Sequence, residues 1–230
     1  MPAAGRPRVA LFDLDHTLLP IDSDHAWGVF TTEIGWTDAA EFRRRNDEFY
    51  AQYKAGTLDI HDYVRFATEA VRLRGPQAAA EAHRRFMRTV VQPQLREEAC
   101  QLLQQHRDAG DEVAIVTATN EFVTRPIAAA FGVGELIAVE LERGADGWIT
   151  GEIRGTPSSR EGKVTRVAEW LAARGHRWGG VEICFYSDSI NDLPLLERAD
   201  HPVATNPDDR LRALARARGW RILDLFEKIL

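Results

Sequence analysis

The apolar positions along the chain change their period twice, and those changes divide it. Val9–Phe12 and Val113–Val116 are continuous apolar runs, and Val181–Tyr186 is broken only by Glu182; each is rich in β-branched or aromatic residues. Runs of this kind are expected for strands buried on both faces of a parallel sheet. Helical spacing separates them, over 94–109, 121–131 and 160–174. A short strand is expected over 136–139, a glycine-bearing β-hairpin over 140–153, and strands over 202–204 and 220–223 with a helix at 208–217 between them. Strands alternating with helices predict βαβ units, hence a doubly wound parallel α/β sheet. From Ile21 to Val91 no period-2 strand is found. Four helices are expected there instead. Asp22 or Ser23 caps the first, which stops at Gly35; Thr37 or Asp38 caps the second, which stops at Gly56. Asp59 or Asp62 starts the third, to Gly75, and Pro76 opens the fourth. The chain thus divides into an α/β core of residues 1–19 and 92–230 and an all-helical insertion of residues 20–91.

Polar clusters sit where the strands end. Asp13-Leu14-Asp15-His16-Thr17 follows the first run, Thr117 the second, and Asp188-Ser189-Ile190-Asn191-Asp192 the third, while Lys163 opens an amphipathic helix. In open parallel sheets, ligands bind beyond the carboxyl ends of the strands. Asp13 and Asp15 can divide phosphoryl chemistry between them, one carboxylate attacking phosphorus and the other handling the leaving-group proton. Two anions meeting a phosphate require a cation, and Mg²⁺ suits hard oxygen ligands. An acidic turn with Asp15 capping a helix remains the plain structural alternative. Thr117 with Thr119 and Asn120 at a helix start can seat an anion or merely cap the helix. Lys163 is either a surface lysine or a fixed cation for phosphoryl oxygens. Asp188 is the natural third metal ligand, with Asn191 and Asp192 shaping the shell around it and holding the lysine.

Together these motifs resemble those of the haloacid dehalogenase-like superfamily, and the resemblance runs from about Val9 to Asp209. It implies that Asp13 is the nucleophile and a Mg²⁺ ligand, and that Asp15 is the general acid/base and ligates through its backbone carbonyl. Thr117 and Lys163 then bind the phosphoryl group, and Asp188 completes the metal site. The helical insertion resembles a subclass I cap, as in phosphoserine phosphatase-like members. Those enzymes favour Ser-Gly where Thr117-Ala118 stands here, Gly-Asp where Ser187-Asp188 stands, and a glutamate at the place of Asp22. The run Asp22-Ser23-Asp24-His25-Ala26-Trp27 is similar to a branch that includes histidinol-phosphate phosphatases. The expected substrate is therefore a small, amine-bearing phosphate ester. Thr17, Asp22, Asp24, Trp27, Ala118 and Asn120 are its candidate contacts, although Asp22 or Asp24 can equally cap the helix and Trp27 can be cap core.

Composition narrows the alternatives. The net charge is −6 and the arginines are scattered, so no clustered basic face for nucleic acid is expected. The arginines of 210–221 and of 43–45 are expected on solvated helix faces. No apolar leader and no stretch near the ~20 apolar residues of a bilayer span are found, so a cytoplasmic enzyme without a membrane partner is expected. The cap surface leaves a homodimer open. Cys100 and Cys184 read as small core residues. Phosphotransfer to a sugar and a non-catalytic phosphoaccepting module, as in receiver domains, are the competing readings.

Overall fold

β1 (Arg8–Phe12) lies at the middle of the sheet because it is the most completely apolar strand, with Val9 to Phe12 all buried. The structure is a computed structural model and describes residues 5–226. Around β1 run β2 (Glu112–Asn120), β3 (Glu135–Val139), β6 (Glu182–Ser187), β7 (His201–Thr205) and β8 (Arg221–Leu223), in the order β3-β2-β1-β6-β7-β8. Every pairing is parallel, with Phe12 level with Ile115 on one side and Tyr186 on the other. The chain leaves β1 toward β2 and β3, then returns to lay β6, β7 and β8 on the other side. The strand order therefore reverses next to β1, and its carboxyl end faces the crevice that such a reversal opens.

Alternate residues of these strands feed two cores. Val9, Leu11, Val116, Ile183 and Phe185 pack on α6 (Glu161–Ala173), α7 (Leu193–Leu196) and α8 (Asp209–Arg218). Ala10, Phe12, Ile115 and Tyr186 point the other way, toward α4 (Glu97–Asp108) and α5 (Glu121–Ala130). Helix α4 begins three residues later than the sequence pattern suggests, because Pro93 turns residues 92–94 into a 3₁₀ turn and Leu95 is extended. Its buried stripe is Ala99, Leu102 and Leu103, which leaves Cys100 exposed and corrects its expected place in the core. Cys184 is half-buried on β6.

The expected all-helical segment follows β1. Helix α1 (Ser23–Glu33) is capped by Asp22, and α2 (Ala39–Ala55) by Asp38, with Gly56 closing it at φ 76°. The third and fourth expected helices meet end to end as α3 (Ile60–Phe86), whose only non-helical residue is Gly75, followed by Pro76. Phe66 and Phe86 are cap core, as expected. The arginine run on α2 behaves as a helix face, with Arg44 paired to Glu41 and Glu48, while Arg45 reaches Glu69. The antiparallel hairpin of β4 (Leu141–Arg143) and β5 (Ile149–Ile153) fastens α3 to the core. Arg65 makes two hydrogen bonds to Glu152 (2.8 and 3.0 Å), and Arg72 reaches the Thr150 carbonyl. Among the described residues no helix is long and apolar enough to cross a membrane.

Candidate active site

The carboxyl end of β1 places Asp13 where it is nearly sealed from solvent. Asp13 is 7% exposed, and its N–H is held by the Tyr186 carbonyl at 2.9 Å. Lys163 reaches it from the third residue of α6, placing Nζ 2.7 Å from Asp13 Oδ1 and 2.6 Å from Asp192 Oδ2. Burial alone would pull the lysine pKa down. The two carboxylates push it above its ordinary value instead, so Lys163 is a fixed ammonium rather than a surface lysine. Asp192 also accepts from Ser187 Oγ at 2.7 Å.

Lys163 needs a tight approach. Ser159, Arg160, Glu161 and Gly162 form a turn closed by the Gly162 N–H on the Ser159 carbonyl (2.9 Å). A Cβ on Gly162 would stand 2.0 Å from the Pro157 carbonyl oxygen, so only glycine fits. Arg160 holds φ 51° and ψ −123°, the first corner of a type II′ turn, where a side chain costs of order 1–3 kcal/mol. Ser158 Oγ pins the same loop to the Thr117 carbonyl at 2.6 Å.

Thr117 is buried, and its Oγ1 accepts the Thr119 N–H at 3.1 Å. It does not stand beyond its strand, as expected, but inside it. The β2–β3 register slips between Val116 and Asn120 and pairing resumes at Asn120, so β2 runs four residues past Val116. Ala118 is half-buried there. Asn120 then caps α5 through the Val123 N–H.

On the other side of Asp13, Thr17 Oγ1 lies 3.3 Å from both Asp13 Oδ2 and Asp188 Oδ1, and accepts the Asp188 N–H at 3.1 Å. Burial, then the charges of Asp13 and Asp192, raise the Asp188 carboxyl well above the usual range. Lys163 offsets only part of that repulsion. Crowded hard oxygens whose carboxyl pKa values are raised fit a divalent cation. Among the described residues no three acidic, histidine or cysteine side chains converge on one metal-sized point. The third protein donor implied by the motif is the Asp15 backbone carbonyl, which such a count of side chains does not include. Asn191 is half-buried in the same loop, its N–H on Ser189 Oγ.

A second group of acids lines the wall toward the helices. Asp15 accepts from the Ser23 N–H and from Thr119 Oγ1, both at 2.8 Å. Burial, then the charges of Asp22 and Asp13, push its pKa up to about 8. Asp24 is 6% exposed, accepts from Asn120 Nδ2 at 3.3 Å and from the Tyr63 hydroxyl, and is pushed up to about 7 by burial and Asp22. Asp22 caps α1 through the Asp24 and His25 N–H groups, as one of its two expected roles has it, and still contributes its charge to this corner. Trp27 is different. It is 1% exposed and enclosed by Phe30, His83, Phe86 and Phe122, so it is core and not a substrate wall. Its spacing with Phe30 on α1 turns it toward α3 and α5.

Tyr63 and Ser187 were not legible as site residues, and Thr119 reads as part of an anion seat or a cap, not as a partner of Asp15. Tyr63 reads as one more aromatic at helical spacing, and Ser187 as a strand residue. Only the tertiary fold brings Tyr63, Thr119 and Ser187 to Asp24, Asp15 and Asp192.

A profile of the haloacid dehalogenase-like hydrolases matches residues 10–197. The chain is 42% identical over 217 residues to a protein named histidinol-phosphatase from Neisseria meningitidis serogroup C (strain 8013), covering 94% of this chain and 98% of that one. The crystal structure of a Bordetella pertussis Tohama I protein with unknown function superposes with a TM-score of 0.91 at 50% identity, covering 96% of this chain and all of that one. A phosphoserine phosphatase carrying an analogue of its phospho-aspartyl intermediate shares the fold, with a TM-score of 0.67 at 16% identity over 97% of this chain and 95% of that one.

Proposed function

The chain belongs to the haloacid dehalogenase-like hydrolases, as a phosphoric monoester hydrolase, and we propose that it cleaves a small amino-alcohol phosphate through an aspartyl-phosphate on Asp13. The observation that carries the substrate class is the pair of Asp22 and Asp24, set beside the catalytic Asp15. Among the described residues no lysine or arginine pairs with any of the three, and two of them are pushed to about 8 and about 7 by burial and mutual repulsion. An ammonium group arriving there relieves that repulsion. A carboxylate would add to it, so the corner favours histidinol phosphate over phosphoserine. The name of the 42% identical relative supports the same choice.

In the first step an Asp13 carboxylate oxygen attacks phosphorus and the ester P–O bond breaks. Asp15 delivers a proton to the departing alkoxide, for which a carboxyl held largely protonated near neutrality is suited. Water then attacks the aspartyl phosphate, Asp15 takes its proton, and Asp13 and phosphate are released. Lys163 and the Thr117 region balance the phosphoryl oxygens throughout. Asp13, Asp188 and the Asp15 carbonyl would hold Mg²⁺, which supplies charge neutralisation between carboxylates and phosphate. Residues 20–91 act as the cap, closing over residues 1–19 and 92–230 to exclude water during transfer.

Phosphate release from a panel of monoesters with Mg²⁺ tests this: histidinol phosphate, phosphoserine, sugar phosphates and p-nitrophenyl phosphate, wild type beside Asp13→Asn. We expect histidinol phosphate to lead in kcat/KM and the substitution to abolish turnover while the circular dichroism spectrum stays unchanged. A sugar phosphate leading would favour the phosphotransfer reading. Undiminished hydrolysis by Asp13→Asn would remove the aspartyl-phosphate.

A further inference from the structure

The turn that delivers Lys163 carries arginine at a corner where glycine is the usual occupant. At φ 51° and ψ −123° Arg160 gains nothing locally from having a side chain. Its two ends do separate things. Its carbonyl accepts the Lys163 N–H at 3.0 Å, closing the first turn of α6. Its guanidinium crosses to the helical insertion and donates Nη1–H to the Gly56 carbonyl at 3.0 Å, at the left-handed end of α2. The fit is close there, since a Cβ on Gly56 would stand 3.3 Å from Arg160 Nη2. One helical turn back, the Tyr53 hydroxyl lies 3.1 Å from Ser189 Oγ, in the loop between Asp188 and Asp192. The tip of α2 therefore touches both loops whose residues, Lys163 and Asp192, are bonded to each other beside Asp13.

We propose that Arg160 is a positioning residue that couples seating of the α2 tip to placement of Lys163 against Asp13; the inference rests on the phosphatase reading of the site. With α2 seated, the guanidinium grips Gly56 and holds the turn in its strained corner, which sets the start of α6. When the tip lifts, that partner is lost and the corner can relax, taking the first turn of α6 and Lys163 with it. The cation that stabilises the phosphoryl oxygens is then fully placed only with the cap down.

Arg160→Gly is the informative variant because it relieves the corner and removes the grip at once. Arg160→Lys keeps a donor of similar reach. Amide hydrogen exchange over residues 53–58 and 160–166 should be followed in each variant, alongside steady-state hydrolysis of histidinol phosphate and p-nitrophenyl phosphate. We expect Arg160→Gly to melt no lower than wild type and to exchange faster in both segments. Its kcat should fall on the order of tenfold, with KM changed less than about threefold, the signature of a misplaced group that acts in the transition state. Arg160→Lys should recover part of that kcat. Wild-type kcat in Arg160→Gly, or faster exchange confined to 53–58, would overturn the coupling and reduce Arg160 to a surface tether. Should Arg160→Gly fail to fold, Arg160→Lys decides alone: a partly reduced kcat with faster exchange at both 53–58 and 160–166 supports the coupling, and wild-type kcat, or faster exchange confined to 53–58, overturns it. If the wild type hydrolyses no monoester, the phosphatase reading has failed, and the exchange data alone decide whether the two segments move together.

Discussion

Lys163 Nζ stands between two buried carboxylates, 2.7 Å from Asp13 and 2.6 Å from Asp192, so its replacement leaves two charges without a partner. Removing one member of a buried ion pair costs about 3–5 kcal/mol, most of it from the stranded charge. Lys163→Met should therefore lower Tm by roughly 6–20 °C in a chain of this size, as well as stop turnover. A scan within a few degrees of wild type would mean that the carboxylates take up protons at little cost. Asp13, Asp15, Thr17, Asp188 and Asp192 were legible because each sits where an apolar run ends, and a parallel sheet gathers those ends. The placement of Lys163 beside Asp13 was legible from the motif alone, since its helix gives no hint that the amine is buried. Tyr63 was hidden, because its partner Asp24 lies on another helix and nothing in its own spacing marks it.

At the scale of elements, α1, α3 and α5 meet over a cluster of rings: Trp27, Phe30, His83, Phe86 and Phe122. His83 is 7% exposed, and burial lowers its pKa below the ordinary 6.5. In the unfolded chain it takes up a proton near pH 6.5, whereas in this cluster it resists protonation. Its contribution to stability is whole above pH 6.5 and is lost as pH falls through the lower folded value. His83→Phe, which keeps an aromatic ring of similar size, should flatten that limb. Urea unfolding at pH 7.5 and pH 5.0 measures it: wild type should lose more stability between the two than the variant. Equal losses would mean that His83 is not the group responsible. The helix starts here were readable to within a choice of two residues each, and Asp22, Asp38 and Asp59 are the caps. The length of β2 was not, because a register slip between neighbouring strands is a property of the pair and leaves no mark on either sequence.

For the molecule as a whole, the net charge of −6 is less telling than where the acids gather. The strand order reverses beside β1, and that crevice collects Asp13, Asp15, Asp188 and Asp192 from the sheet and Asp22 and Asp24 from the first helix. Lys163 answers two of them, a divalent cation would answer Asp188, and the corner of Asp24 is left for the ligand. Its consequence is a proton count. In the free protein Asp24, pushed up to about 7, is about half protonated at neutral pH. A bound ammonium favours the charged carboxylate and lowers that pKa, so binding releases protons, up to about half of one from this group at pH 7 and almost none at pH 9. Calorimetric titration with an amine-bearing phosphonate and its amine-free analogue, each in two buffers of different ionisation heat, gives the number directly. The amine-bearing ligand should release more protons at pH 7, the excess should fade by pH 9, and Asp24→Asn should shrink it. Equal proton release by the two ligands would place the amine elsewhere and leave the acidic corner without its partner.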